Sequence, residues 1–152
     1  MQHETPSTTS ESLVIEYIGF WKRTAASIID SILITLVTAP ILIQIYGVDY
    51  FHSAHSSHDL WELLLNYLFP AIAVLVFWHF RSATPGKMLF NARVVDAKSF
   101  GKPSTGQLIG RYLGYYLSIL GLGLGFFWIM WDKRKQGWHD KLAGTLVIRE
   151  YE

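Results

Sequence analysis

W-K-R-T-A-A-S-I-I-D, Trp21 to Asp30, opens the first long apolar run of the chain and carries charge into it. Asp30 follows Arg23 by seven residues. On a helix the two share one face, about 10 Å apart along the axis at 1.5 Å per residue. Arg23 then sits at a membrane surface while Asp30 lies below it. An ionisable group inside a membrane span costs roughly 2.5–3.5 kcal/mol on insertion scales, so its presence implies a protein partner or a polar cavity. Asp30 is the leading functional candidate on this reading, with Arg23 as its expected partner and Arg111 as the competitor. The plainer alternative is an acid that only locks helices together.

Composition points the same way. Of 152 residues, 51% are apolar, 15% aromatic and only 16% charged, against about 25% charged in soluble domains. The formal charge of +1 conceals an uneven distribution along the chain. There is no cysteine, which excludes disulfides and thiolate chemistry. No basic stripe or nucleic-acid motif is present, so nucleic acid is not an expected partner, whereas the lipid bilayer is. Residues 1–12 are polar and lack the basic start and apolar core of a secretory signal. They read as a disordered tail before one membrane domain, residues 13–152.

Leu13 to Phe20 reads as a short interfacial helix or strand, with Phe20 and Trp21 at headgroup level. Thr24 to Tyr46 is long enough to cross about 30 Å of hydrocarbon, with Pro40 as an expected kink. Gly47 to Asp59 is a polar loop without Lys or Arg. Leu60 to Phe80 supplies a second span, interrupted by Asn66 and Pro70, and Asn66 favours a protein neighbour over lipid. Beyond it Arg81, Lys87, Arg93, Lys98, Lys102 and Arg111 form a basic segment, and Lys22 and Arg23 precede the first span. The positive-inside rule puts both regions, and both termini, in the cytoplasm. Thr84 with Pro85 reads as a helix start, and Ser104 with Gln107 as a capping box. Arg93 to Val95 and Thr145 to Arg149 read as short strands that pair into a small cytoplasmic cap.

Gln107 to Trp131 has the length of a third crossing, but a straight one would carry Lys133, Arg134, Lys135, Lys141 and Arg149 to the outside. G-L-G-L-G, Gly121 to Gly125, weakens a helix and permits a turn. The expectation is two half-length helices that enter and return. The fold class is thus an all-α membrane protein: two transmembrane helices plus a Gly-broken re-entrant or third hydrophobic helix, with a small two-stranded cap. The glycine run does not match a dinucleotide fingerprint. Gly110, Gly114, Gly121 and Gly125 instead allow close helix packing, within the chain or in a homo-oligomer.

Five motifs in order, the opening stretch followed by A-T-P-G-K (Ala83 to Lys87), A-R-V-V-D (Ala92 to Asp96), I-G-R-Y-L (Ile109 to Leu113) and H-D-K-L-A-G-T (His139 to Thr145), resemble the RDD family of small bacterial membrane proteins over roughly Tyr17 to Arg149. The resemblance implies an arginine at the head of the first span (Arg23), an aspartate within it (Asp30) and a second aspartate in the C-terminal motif. Asp140 fits that last position best, with Asp132 as the rival. It also implies the inner membrane of a bacterium, and transport of an unidentified ligand as the suggested activity.

The candidate functional cluster is Arg23, Asp30, Arg111, Asp132, His139 and Asp140, gathered at the cytoplasmic boundary. A histidine beside carboxylates can titrate near neutrality and relay a proton; the alternative is a network of caps and salt bridges. In the outer loop His52, His55, His58 and Asp59 are weak metal-ligand candidates, more simply read as a solvated loop. No metal or other cofactor is expected. No nucleophile and base stand together, so an enzyme is not expected either. The reading is a small integral membrane protein for ion- or proton-coupled transport. The alternative is a structural or accessory membrane protein in which the Arg/Asp cluster fixes helix packing.

Overall fold

The computed structural model describes residues 15–52 and 59–149. The N-terminal tail and the loop positions His55 and His58 lie outside the described residues.

Helix α1 runs over Phe20–Tyr46 and continues through Pro40. It begins four residues before the predicted start, behind the extended Gly19. The second long helix is assembled from α2 (Leu60–Leu63), a wide π turn over Leu64–Leu68, and α3 (Phe69–Arg81). Pro70 explains the π turn: it has no N–H for the carbonyl one turn back, so the ladder loosens ahead of it. A short helix α4, Pro85–Met88, extends this unit. Both long helices are apolar enough to cross a membrane, and they leave most of their side chains uncovered by protein. Such all-round apolar exposure fits a lipid surrounding.

At the end of the molecule formed by the C-terminus of α1, the loop is stitched by side chains. Tyr46 hydrogen-bonds to Asp59, Tyr50 donates to Glu62 at 2.8 Å, and Asn66 donates to Tyr50 at 3.1 Å. Asn66 thus finds its partner in the loop. Asp59 also accepts from the Glu62 backbone and caps α2. His52 is the only loop histidine among the described residues, and these contain no cluster of metal-ligating side chains.

The opposite end carries the cap. Strands β1 (Ala92–Asp96) and β2 (Thr145–Arg149) pair antiparallel, Ala92 opposite Arg149 and Asp96 opposite Thr145. Tyr17 adds an isolated bridge to Ile148, and Ile18, Ala92, Val94 and Val147 form a closed core beneath. The start of α1, the end of α3 and the cap therefore occupy one end of the molecule.

Helix α5 (Thr105–Leu120) opens with the expected capping box, Ser104 with Gln107. It is followed by α6 (Leu124–Trp131) at a bend of 100°. The glycine run does break the segment, as expected, into pieces of unequal length: α5 has 16 residues and α6 has 8. Leu122 and Gly123 make the corner with φ of 56° and 78°, the left-handed region that glycine enters without cost. Packing then fixes the corner. A Cβ on Gly125 would sit 2.5 Å from Ser118 Oγ, and one on Gly121 would sit 2.7 Å from the Trp138 ring. Helix α7 (Trp138–Ala143) lies across α5, so close that a Cβ on Gly114 would meet His139 Cα at 2.8 Å. Three of the four glycines singled out by spacing are thus occupied within the chain, while Gly110 faces open space.

Candidate functional site

Arg23, on the first turn of α1, does not turn to Asp30. It crosses to α7, where its Nη1 pairs with Asp140 Oδ2. Its Nε donates to the Ile18 carbonyl at 3.0 Å and its Nη2 to the Lys135 carbonyl at 2.6 Å. Arg111, one helical face of α5, pairs through Nη1 with the other oxygen of the same carboxylate, and reaches Thr145 Oγ1 at 3.1 Å and the Tyr115 hydroxyl at 3.3 Å. Asp140 also accepts from the Gly137 backbone at 3.1 Å. One wholly buried carboxylate therefore ties α1, α5 and α7 together. The expected Arg23–Asp30 pairing is corrected on geometric grounds: two helical turns separate them, and Asp140 is brought within direct reach.

Asp30 has its own partners. It accepts from Thr84 Oγ1 at 2.5 Å and from the Gly86 backbone at 2.7 Å, holding α4 against α1. Thr84 stands at the cap position of α4, but its hydroxyl goes to Asp30 and not to its own helix. Gly86 is required here, since a Cβ would lie 2.1 Å from the Ala26 carbonyl. Asp132 is also separate from the cluster. It accepts from the backbones of Arg134 and Gln136 at 3.0 and 3.1 Å and pairs with Lys141 at 2.6 Å. Between the two candidates for a second aspartate, Asp140 occupies the buried position.

His139 packs its ring on Tyr115 and Phe126, with centroids 4.3 and 5.2 Å away. Burial pushes its pKa down to about 3, Asp140 at 3.6 Å only partly opposing it. The imidazole is neutral at ordinary pH, so the expectation that it titrates near neutrality fails. Burial alone would raise the pKa of Asp140, but Arg111 and then Arg23 outweigh it and hold the carboxyl well below its usual range. Neither group is set to carry a proton at pH 7.

Beside this cluster lies a cavity of about 460 Å³, within the range of small-molecule pockets. Its polar floor comes from Arg23, Lys87, Arg111 and His139, its apolar wall from Phe20, Ile119, Phe126, Phe127 and Ile129. Among the described residues no carboxylate lines it. Lys87 was not among the residues singled out from the sequence, although it stands in the A-T-P-G-K motif. Its side chain is only 5% exposed.

A helical membrane protein built around a buried Arg–Asp–Arg tie, with an apolar cavity alongside, is the class that this architecture defines. A profile of the RDD family matches residues 17–144, and the chain belongs to that family. It is 28% identical to an uncharacterized protein of Rickettsia prowazekii, over 89% of this chain and 97% of that one. It is 30% identical to the uncharacterized protein YxaI of Bacillus subtilis, over 86% and 95%. It is also 31% identical to the uncharacterized membrane protein YteJ of the same organism, over 93% and 86%. No solved structure matches the chain with significance.

Proposed function

We propose that this is a two-span protein of a bacterial inner membrane that takes up a ligand in the cavity beside the Arg–Asp–Arg tie, as the binding step of transport. The cavity carries the reading: it is walled by apolar side chains and floored by three cations with no carboxylate among its lining. The tie itself has the packing role, since both Asp140 oxygens are taken by guanidinium groups. Binding and packing thus fall to neighbouring but different residues.

The orientation we infer has the cap and both ends in the cytoplasm. The cap end gathers Lys22, Arg81, Lys98 and Lys102, whereas residues 47–59 contain no lysine or arginine.

Two measurements test this. In the cysteine-free chain, single cysteines at Val48 and Ser99 are exposed at opposite ends. Impermeant labelling of intact cells should reach Val48→Cys alone, and labelling of Ser99→Cys instead would reverse the orientation. For binding, thermal unfolding in nanodiscs across a ligand panel should show stabilisation of about 2.7 kcal/mol at a hundredfold excess over Kd. It should vanish when Ser27→Trp fills the cavity. Stabilisation that survives this filling would place the ligand elsewhere.

A further inference from the structure

The ligand's charge is written in what Lys87 lacks. Its ammonium faces the cavity from a side chain that is 5% exposed, and it has no hydrogen-bond or ion-pair acceptor among the described residues. It lies over the Trp78 ring at 5.6 Å. Neither nearby acid is in direct contact with it: Asp30 accepts from Thr84 and Gly86 and acts on the ammonium only across a gap, and Asp140 pairs with two arginines. Arg111 Nε, beside it, is buried without an acceptor. Burial without a paired anion disfavours the charged form of such a lysine, and an anion in the cavity favours it.

A second feature says what the anion is attached to. A shallow groove runs along the exposed face of α1 from Thr24 to Leu36, lined by that helix alone among the described residues and sharing Thr24 and Ser27 with the cavity. At 1.5 Å per residue it follows the span for about 18 Å. Ile28, Ile32 and Leu36 line it, and all are exposed on the apolar surface of the span. Three of its four hydroxyls, those of Thr24, Ser31 and Thr35, donate to carbonyls one turn back at 3.0, 2.9 and 2.8 Å. Beyond Ser27, at the end shared with the cavity, such a wall accepts a hydrocarbon chain without stranding polar groups.

Resting on the ligand-binding reading above, we propose that the occupant is an anionic phospholipid of the surrounding bilayer. Its phosphate lies on Lys87 in the cavity and an acyl chain lies along the α1 groove. The surplus of cations over carboxylates selects a net-negative head over a zwitterionic one.

The test compares the purified protein in phosphatidylcholine nanodiscs with and without one-fifth phosphatidylglycerol. Phosphatidylglycerol should raise the unfolding temperature and be retained through delipidation. Its preference over phosphatidylcholine should be about fivefold, the worth of one basic side chain at an anionic lipid surface. Lys87→Gln should abolish the preference yet be at least as stable as wild type in phosphatidylcholine, since it removes an unpaired charge. Lys98→Gln, on the exposed cap, should keep the preference. Retained-lipid analysis of the wild type decides the matter even if Lys87→Gln does not fold.

Equal retention of both lipids overturns the anionic selection but leaves ligand binding standing. The same thermal shift from inorganic phosphate alone overturns the acyl-chain seat. Loss of the preference in Lys98→Gln overturns the assignment to the cavity in favour of general surface attraction. If no lipid is retained and no ligand in the panel stabilises the protein, this inference and the binding reading fall together.

Discussion

Asp140→Asn is the substitution that most directly probes the centre of this molecule. The carboxylate is fully buried and lies between Arg23 and Arg111, themselves 6% and 0% exposed. Asparagine keeps the shape and one acceptor oxygen but turns an amide donor toward one of the guanidinium groups. Two buried cations then face each other with no anion between them. Breaking a buried pair by removing one partner costs about 3–5 kcal/mol. Here the loss should sit at the upper end of that range, because a single carboxylate serves two arginines. Arg111→Met should cost less, since Arg23 and the Gly137 N–H still hold Asp140. Combined with Asp140→Asn it should recover part of the defect, with a coupling of about 0.5–3 kcal/mol. Equilibrium unfolding in mixed micelles, followed by tryptophan fluorescence, gives all the terms. The control is Arg23 against Asp30, whose partners are separate; that pair should be additive to within about 0.5 kcal/mol. If Asp140→Asn lies within about 1 kcal/mol of wild type, or if Arg23 couples to Asp30 and not to Asp140, the tie described here is wrong.

Four further outcomes follow from other contacts. The folded pKa of His139 is depressed to about 3 from 6.5, so between those values the unfolded chain binds the extra proton. Stability should therefore rise with pH across this window, by up to about 5 kcal/mol in all, and His139→Phe should flatten that part of the pH–stability curve. Gly114→Ala drives a methyl into the α7 backbone and should cost about 1–3 kcal/mol. Gly110→Ala meets nothing within 4 Å and should gain about 0.5–1 kcal/mol of helix propensity; a large loss there, with a change in oligomeric state by light scattering, would reveal a contact between copies. Thr84→Val removes a hydrogen bond to a charged acceptor and should cost about 1.5–3 kcal/mol, recovered in part by Asp30→Asn.

Much of the fold was legible because it is written in local signals. Two apolar runs of spanning length, a capping box at Ser104 and Gln107, and β-branched residues bounded by turn chemistry each depend on near neighbours. Their structural outcomes, two long helices and a paired cap, follow those signals closely. The bend between α5 and α6 was also legible in Gly121 to Gly125, but its angle was not. That angle is set by Trp138 and Ser118 meeting glycines from outside the turn, and such contacts leave no trace in local periodicity.

The pairing of charges was less legible, for a reason that Arg23 illustrates. Read along one helix, its nearest acid on the same face is Asp30, and nothing in the spacing favours another. Asp140 lies 117 positions away in the chain and becomes a neighbour only once α7 crosses α5. That crossing depends on Gly114, since any side chain there would meet the His139 backbone. Gly86 plays the same part for Asp30, letting α4 close enough for its N–H to donate to the carboxylate. Each aspartate is thus matched to a glycine on the element that approaches it, and charge spacing alone cannot reveal the match. Lys87 follows from the second of these approaches. Once Gly86 presses on α1, the next residue is carried into the interior, where neither aspartate touches it. A fold that satisfies both its acids in this way leaves its spare positive charge at the cavity, and that is where an anionic ligand gains most.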